Sequence, residues 1–149
     1  MVTGDYIGLV FWAGSALLAY GYFKYGTVWL AFRAVAGGDT ERAATLLAQV
    51  KRPEALAAQE RAYFELASGF VCAARTRNDE AEQHLRLALA NPLRTASDLA
   101  LAEAVLAQLL IARDAFAEAR TLLDQAGARA ARPMILARIR ALRDELPAD

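Results

Sequence analysis

Few side chains in this sequence are equipped for covalent or acid–base chemistry. The one cysteine, Cys72, stands in an apolar stretch, and the one histidine, His84, stands in "AEQHLRLAL" among charged and polar neighbours. A structural zinc site takes four ligands, and these two residues without companions cannot close one. A lone thiol forms no intramolecular disulfide, and in an apolar helix it reads as a small core residue. The sequence holds no glycine-rich phosphate loop, Cys-x-x-Cys, His-Glu-x-x-His or serine elbow. Its glutamates recur at helical spacing on polar faces, where pairing with arginine one turn away explains them without general acid–base work. One charged cluster remains, with five arginines and no acid between Gly127 and Arg143. It reads first as a solvated face, and second as a contact for anionic lipid or an acidic partner. The expectation is a non-enzyme that uses no cofactor, metal or small-molecule substrate.

The elements that carry these residues follow from composition and periodicity. The 149 residues allow one compact domain beside an N-terminal segment. Charge is balanced, with 17 basic and 17 acidic residues, so no overall field favours nucleic acid. Alanine, leucine and arginine dominate, and from Leu30 onward glycine and proline occur only at spaced points, which predicts an all-α fold.

Between Asp5 and Lys24 lie eighteen uncharged, mostly apolar residues. As a helix they would be about 27 Å long, against a hydrocarbon thickness of about 30 Å. A cleaved signal would open on basic residues and have a shorter apolar core, whereas "MVTGD" carries an acid. The segment is apolar on every face, and Tyr20, Tyr22, Phe23 and Tyr25 crowd one end, as at a lipid–water boundary. It reads as a retained single span, and Gly4, Gly8, Ser15 and Ala19 along one face offer a helix contact. Lys24, Arg33 and Arg42 follow it, which places the remaining domain in the cytoplasm, with a bacterial inner membrane as the expected location.

The strongest pattern is an internal repeat. "GDTERAATLLAQV" at Gly38, "TRNDEAEQHLRLA" at Thr76 and "DAFAEARTLLDQA" at Asp114 superpose at intervals of 38 residues. Ala43, Ala81 and Ala119 coincide, as do Leu47, Leu85 and Leu123. Each unit reads as a helix, a tight turn and a second helix, with Ala31, Gly69 and Ala107 receiving those alanines at close approach. Asp39 is expected to cap one second helix, and Asp79 with Glu82 to form a capping box on another. Pro53, Pro92 and Pro133 follow the units, and Ile135, Ile139, Leu142 and Leu146 share one face of a final capping helix.

The order of these small residues, with the trailing proline, resembles the tetratricopeptide repeat family from about Gly26 to Pro133. The interval is 38 rather than about 34 residues, and Ala34, Cys72 and Leu110 stand where the family carries a first-helix tyrosine. The resemblance implies a TPR-like α-solenoid of about three hairpins over residues 26–133, behind an anchor at 1–25 and before a capping helix and tail at 134–149. It further implies a concave groove for a protein partner, lined by Val28, Phe32, Tyr63, Leu66, Phe70, Leu101, Gln108 and Ile111. The expected role is a membrane-anchored scaffold or accessory subunit that assembles or stabilises a larger membrane complex, bacterial respiratory and photosynthetic complexes being natural hosts. The alternative is a membrane-tethered receptor or co-chaperone that captures soluble clients transiently.

Overall fold

A computed structural model describes residues 26–147. The N-terminal apolar segment, with Gly4, Gly8, Ser15 and Ala19, lies outside the described residues. Within them the protein is all-α, with no strand, and no helix is long and apolar enough to cross a membrane. Helix α1 is described over 26–36. It is followed by α2 (Thr40–Ala48), a 3-10 turn at Pro53–Ala55, α3 (Ala58–Ala74), α4 (Asn78–Leu89), α5 (Ala96–Ile111), α6 (Phe116–Arg129) and α7 (Pro133–Asp144).

Two kinds of helix alternate. The second helices bury only a narrow stripe: Ala43 and Leu47 in α2, Ala81, Leu85 and Ala88 in α4, and Ala119, Leu123 and Ala126 in α6. That spacing of four and then three residues is one face of a helix, and polar and charged residues make up most of the rest. The first helices α3 and α5 are enclosed almost all round, with an unbroken buried run from Glu65 to Cys72 in α3. They therefore form the inner layer, and α2, α4 and α6 the outer one. Helix α7 packs against α5 and α6 with Ile135, Ile139 and Leu142 buried.

Small residues let each pair close. Ala31, Ala43, Ala81, Ala107 and Ala119 have no exposed surface. At Gly69 a Cβ would stand 2.8 Å from Leu85 Cγ and 3.4 Å from the Ala81 carbonyl oxygen, so only glycine fits against this stretch of α4 without displacing it.

The three turns are one motif used three times. Gly38, Thr76 and Asp114, spaced 38 residues apart, have φ of 85°, 58° and 61°. After each, the next amide reaches back to close a six-residue loop: Asp39 to Ala34 at 2.8 Å, Arg77 to Cys72 at 2.9 Å and Ala115 to Leu110 at 2.9 Å. The left-handed residues donate as well, Gly38 to Val35, Thr76 to Ala73 and Asp114 to Ile111. This is a Schellman termination, and its left-handed position favours glycine. Asp39 then caps α2 by accepting from the Arg42 amide at 3.0 Å.

The capping box expected from Asp79 and Glu82 does not form. Helix α4 starts at Asn78 with Arg77 at its cap, two residues before the box would require. The turn at Thr76 sets that start, and Glu82 instead accepts from the guanidinium groups of Arg86 and Arg113.

A second link recurs at the repeat interval. Arg75, just past α3, reaches Glu41 of the preceding outer helix at 2.9 Å, and Arg113, just past α5, reaches Asp79 at 3.6 Å. Exposed pairs of this kind contribute about 0–1 kcal/mol each. Their consequence is register: each inner helix end is tied to the previous unit's outer helix.

The left-handed turns give a direct test. Thr76→Gly relieves a β-branched residue at positive φ and should stabilise the chain by about 1 kcal/mol, while Gly38→Ala should destabilise it by a similar amount. Chemical denaturation of the two variants measures both signs.

Candidate functional site

The inner helices and α7 enclose a cleft of about 610 Å³. Its apolar floor includes Val35 of α1, Phe70 and Ala73 of α3, and Leu101, Val105 and Leu109 of α5. Helix α7 supplies the opposite wall through Met134, Ile135, Arg138 and, just before the helix, Arg132. Met134 is 84% exposed, the most exposed large apolar side chain described. Arg138 donates to Gln108 Oε1, a neutral partner, at 2.5 Å. Burial lowers its pKa from arginine's ordinary value, and no neighbouring carboxylate raises it back. None of the residues lining the cleft is Asp or Glu. The cleft is thus an apolar trough with cationic groups on one wall and no acid in its lining.

Of the residues that the resemblance assigns to a groove, Phe70, Leu101 and Gln108 line this cleft. Phe32, Tyr63 and Leu66 are buried in the core, Leu66 with no exposed surface, and Ile111 is half-buried outside the lining. Val28 and Tyr63 belong instead to a separate pocket of about 130 Å³ with Trp29, Gln59, Glu60 and Arg94. The α7 contribution of Met134 and Arg138 was not assigned from sequence. The arginine run between Gly127 and Arg143 was its only signal, and that run says nothing about where α7 crosses the inner layer.

An aromatic and polar cluster braces the start of the inner helices. Phe32 and Tyr63 meet edge to face with centroids 5.0 Å apart, and Trp29 packs on both at 5.6 and 5.5 Å. The Tyr63 hydroxyl donates to Asp98 Oδ2 at 2.6 Å and accepts from the Arg94 amide at 3.1 Å. Asp98 is itself placed by the α5 cap, where its amide donates to Thr95 Oγ1 at 3.0 Å. Burial first and the Asp98 bond second push the Tyr63 phenol up to about 12.

Two buried acids occupy the same position in successive units. Glu65 of α3 meets His84 Nδ1 of α4 at 2.6 Å, and Glu103 of α5 meets Arg129 of α6. Burial pushes the Glu103 carboxyl up, and Arg129 opposes the shift. Neither acid lines the cleft or the smaller pocket, so each ties an inner helix to its outer partner rather than facing a substrate. Cys72 is buried, and its thiol is pushed up by burial against the pull of Arg77, which fits a core role. Among the described residues no three His, Cys, Asp or Glu side chains group as metal ligands.

Comparison of the chain with protein-family models, curated proteins and solved structures finds no match.

The Tyr63 network gives a pH test. The neutral phenol is favoured by the fold, so its contribution is complete below pH 10 and is lost as pH rises toward about 12. Tyr63→Phe should destabilise the protein by about 1–3 kcal/mol at neutral pH by leaving Asp98 short of a donor. Denaturant titrations at neutral and alkaline pH should show the gap between the two proteins narrowing over that window.

Proposed function

We propose that this protein is a non-enzymatic, membrane-anchored scaffold or accessory subunit, built on TPR-like hairpins, that holds a segment of a partner protein within a larger membrane complex. The observation that carries this reading is the cleft. Its floor is apolar, it lies on successive inner helices, and its cationic wall lacks acidic residues, a combination that suits a segment presenting apolar side chains and a carboxylate. The recurrence of hairpin, turn and inter-unit link every 38 residues supports the TPR-like assignment. The sequence of the first 25 residues supports the anchor and a cytoplasmic domain. The buried acids, the thiol and the phenol all have structural partners, which supports a binding role over catalysis.

Purification from native membranes in mild detergent tests the reading. The chain should bring down a stoichiometric partner that survives high salt. Ala74→Arg, at an exposed position on the cleft rim, should leave thermal melting unchanged and reduce partner recovery at least about tenfold, equivalent to about 1.4 kcal/mol. Phe70→Ala should lower both recovery and stability, because the ring is buried while lining the cleft. Unaltered recovery with Ala74→Arg would place the partner elsewhere.

A further inference from the structure

At the end of the array formed by the turns at Gly38, Thr76 and Asp114, three arginines are paired with carboxylates: Arg75 with Glu41, Arg77 with Glu80, and Arg113 with Glu82 and Asp79, while Arg33 and Arg42 there are exposed. At the opposite end Val28 and Trp29 of the first described turn of α1, Gln59 and Glu60 at the start of α3, and Arg94 just before α5 line one pocket. The loop joining α2 to α3 lies at this end, with Lys51 and Arg52 exposed. Lys51, Arg52 and Arg94 are all exposed, and among the described residues none pairs with a carboxylate. Arg94 instead lies 5.8 Å over the Trp29 ring. Glu54 is the exposed acid of the same loop, and Glu60 is partly enclosed in the pocket. Trp29 and Leu30 are 41% and 39% exposed here, so the rim joins unpaired cations to apolar surface.

We infer that this end of the domain, with Trp29, Leu30, Lys51, Arg52 and Arg94, is a contact surface for anionic phospholipid headgroups. Indole settles at the boundary between hydrocarbon and water, and each nearby Lys or Arg gains favourable energy from an anionic leaflet. The surface is a rim shared by α1, the start of α3, the residue before the α5 cap and a loop. The large cleft is lined instead by the flanks of the inner helices and α7, so lipid and protein partner would use different faces. The inference rests on the anchor reading in one respect. If the span ends at Lys24, the two residues to Gly26 reach at most about 7 Å, and with one helical turn Trp29 stands within about 12 Å of the membrane.

The test uses the full chain carrying Trp12→Phe, which leaves Trp29 as its one tryptophan. The protein is reconstituted into phosphatidylcholine vesicles or into vesicles with about one-third phosphatidylglycerol, each doped with a lipid bearing a nitroxide on its headgroup. Trp29 fluorescence should be quenched at least about twofold more in the anionic vesicles at low salt, and about 0.5 M salt should remove the difference by screening. Lys51→Glu with Arg52→Glu, two exposed and unpaired positions, should abolish it without lowering the melting temperature. Equal quenching in both vesicle types, or full quenching in the charge-reversed variant, would overturn the inference. Alkaline carbonate extraction reports on the anchor separately. A chain released by carbonate but floating with anionic vesicles only at low salt would refute the anchor and keep the surface. A chain retained by carbonate, with Trp29 open to aqueous iodide in both vesicles, would keep the anchor and refute the surface.

Discussion

The close approach of two helices inside each hairpin is the constraint on which the rest of the structure depends. At Gly69 the space for even a methyl group is already taken by Leu85, and the corresponding alanines elsewhere are fully enclosed. With each outer helix held this tightly to its inner partner, its leucines Leu85 and Leu123 fill the remaining gap completely. The inner helices must then bury their other faces against one another. That stacking leaves one long surface uncovered along α1, α3 and α5, and the cleft forms there once α7 closes the end.

Polar contacts work differently from this packing. The surface ladder from Glu41 to Arg113 contributes little energy per pair but repeats with the unit, so it sets how one hairpin sits on the last. The buried contacts, Tyr63 with Asp98, Glu65 with His84 and Glu103 with Arg129, cross between helices where apolar side chains alone would permit sliding. Burying a carboxylate is costly unless it is paired, so the favoured arrangement is the one that forms all three contacts, although Glu103 Oε2 has no hydrogen-bond partner among the described residues. An inner layer fixed in this way is rigid, and under the proposed binding role a rigid floor would lose less entropy on binding.

Much of the fold was legible in the sequence because it depends on residue size and local chemistry. The superposition aligned Gly38, Thr76 and Asp114, where the structure has three left-handed turns, and the apolar positions Ile135, Ile139 and Leu142 form the buried face of α7. Asp39 caps α2 as its type suggests, whereas Asp79 and Glu82 could not show from sequence that Arg86 and Arg113 would be closer partners than a backbone amide. The cleft was less legible for a physical reason. Helices α3 and α5 are apolar almost all round, so periodicity does not say which side faces the core. Phe32, Tyr63 and Leu66 were assigned to the groove by resemblance and are buried, while Phe70 lies one turn beyond Leu66, where the cleft opens. The wall formed by Met134 and Arg138 is a product of tertiary crossing, which no local pattern encodes.

The most direct measurement of the central claim is the stability change of Gly69→Ala in two backgrounds. Replacing a helical glycine with alanine favours the helix by about 1 kcal/mol. Overpacking a filled contact costs about 1–3 kcal/mol. In the native sequence the contact with Leu85 Cγ should offset that gain, with a net loss of up to about 2 kcal/mol by chemical denaturation. In a Leu85→Ala background the same substitution should become stabilising by about 1 kcal/mol, because the obstructing side chain is gone. A gain of that size already in the native sequence would show that the hairpin has room at Gly69, and would contradict close approach as the constraint that organises the fold.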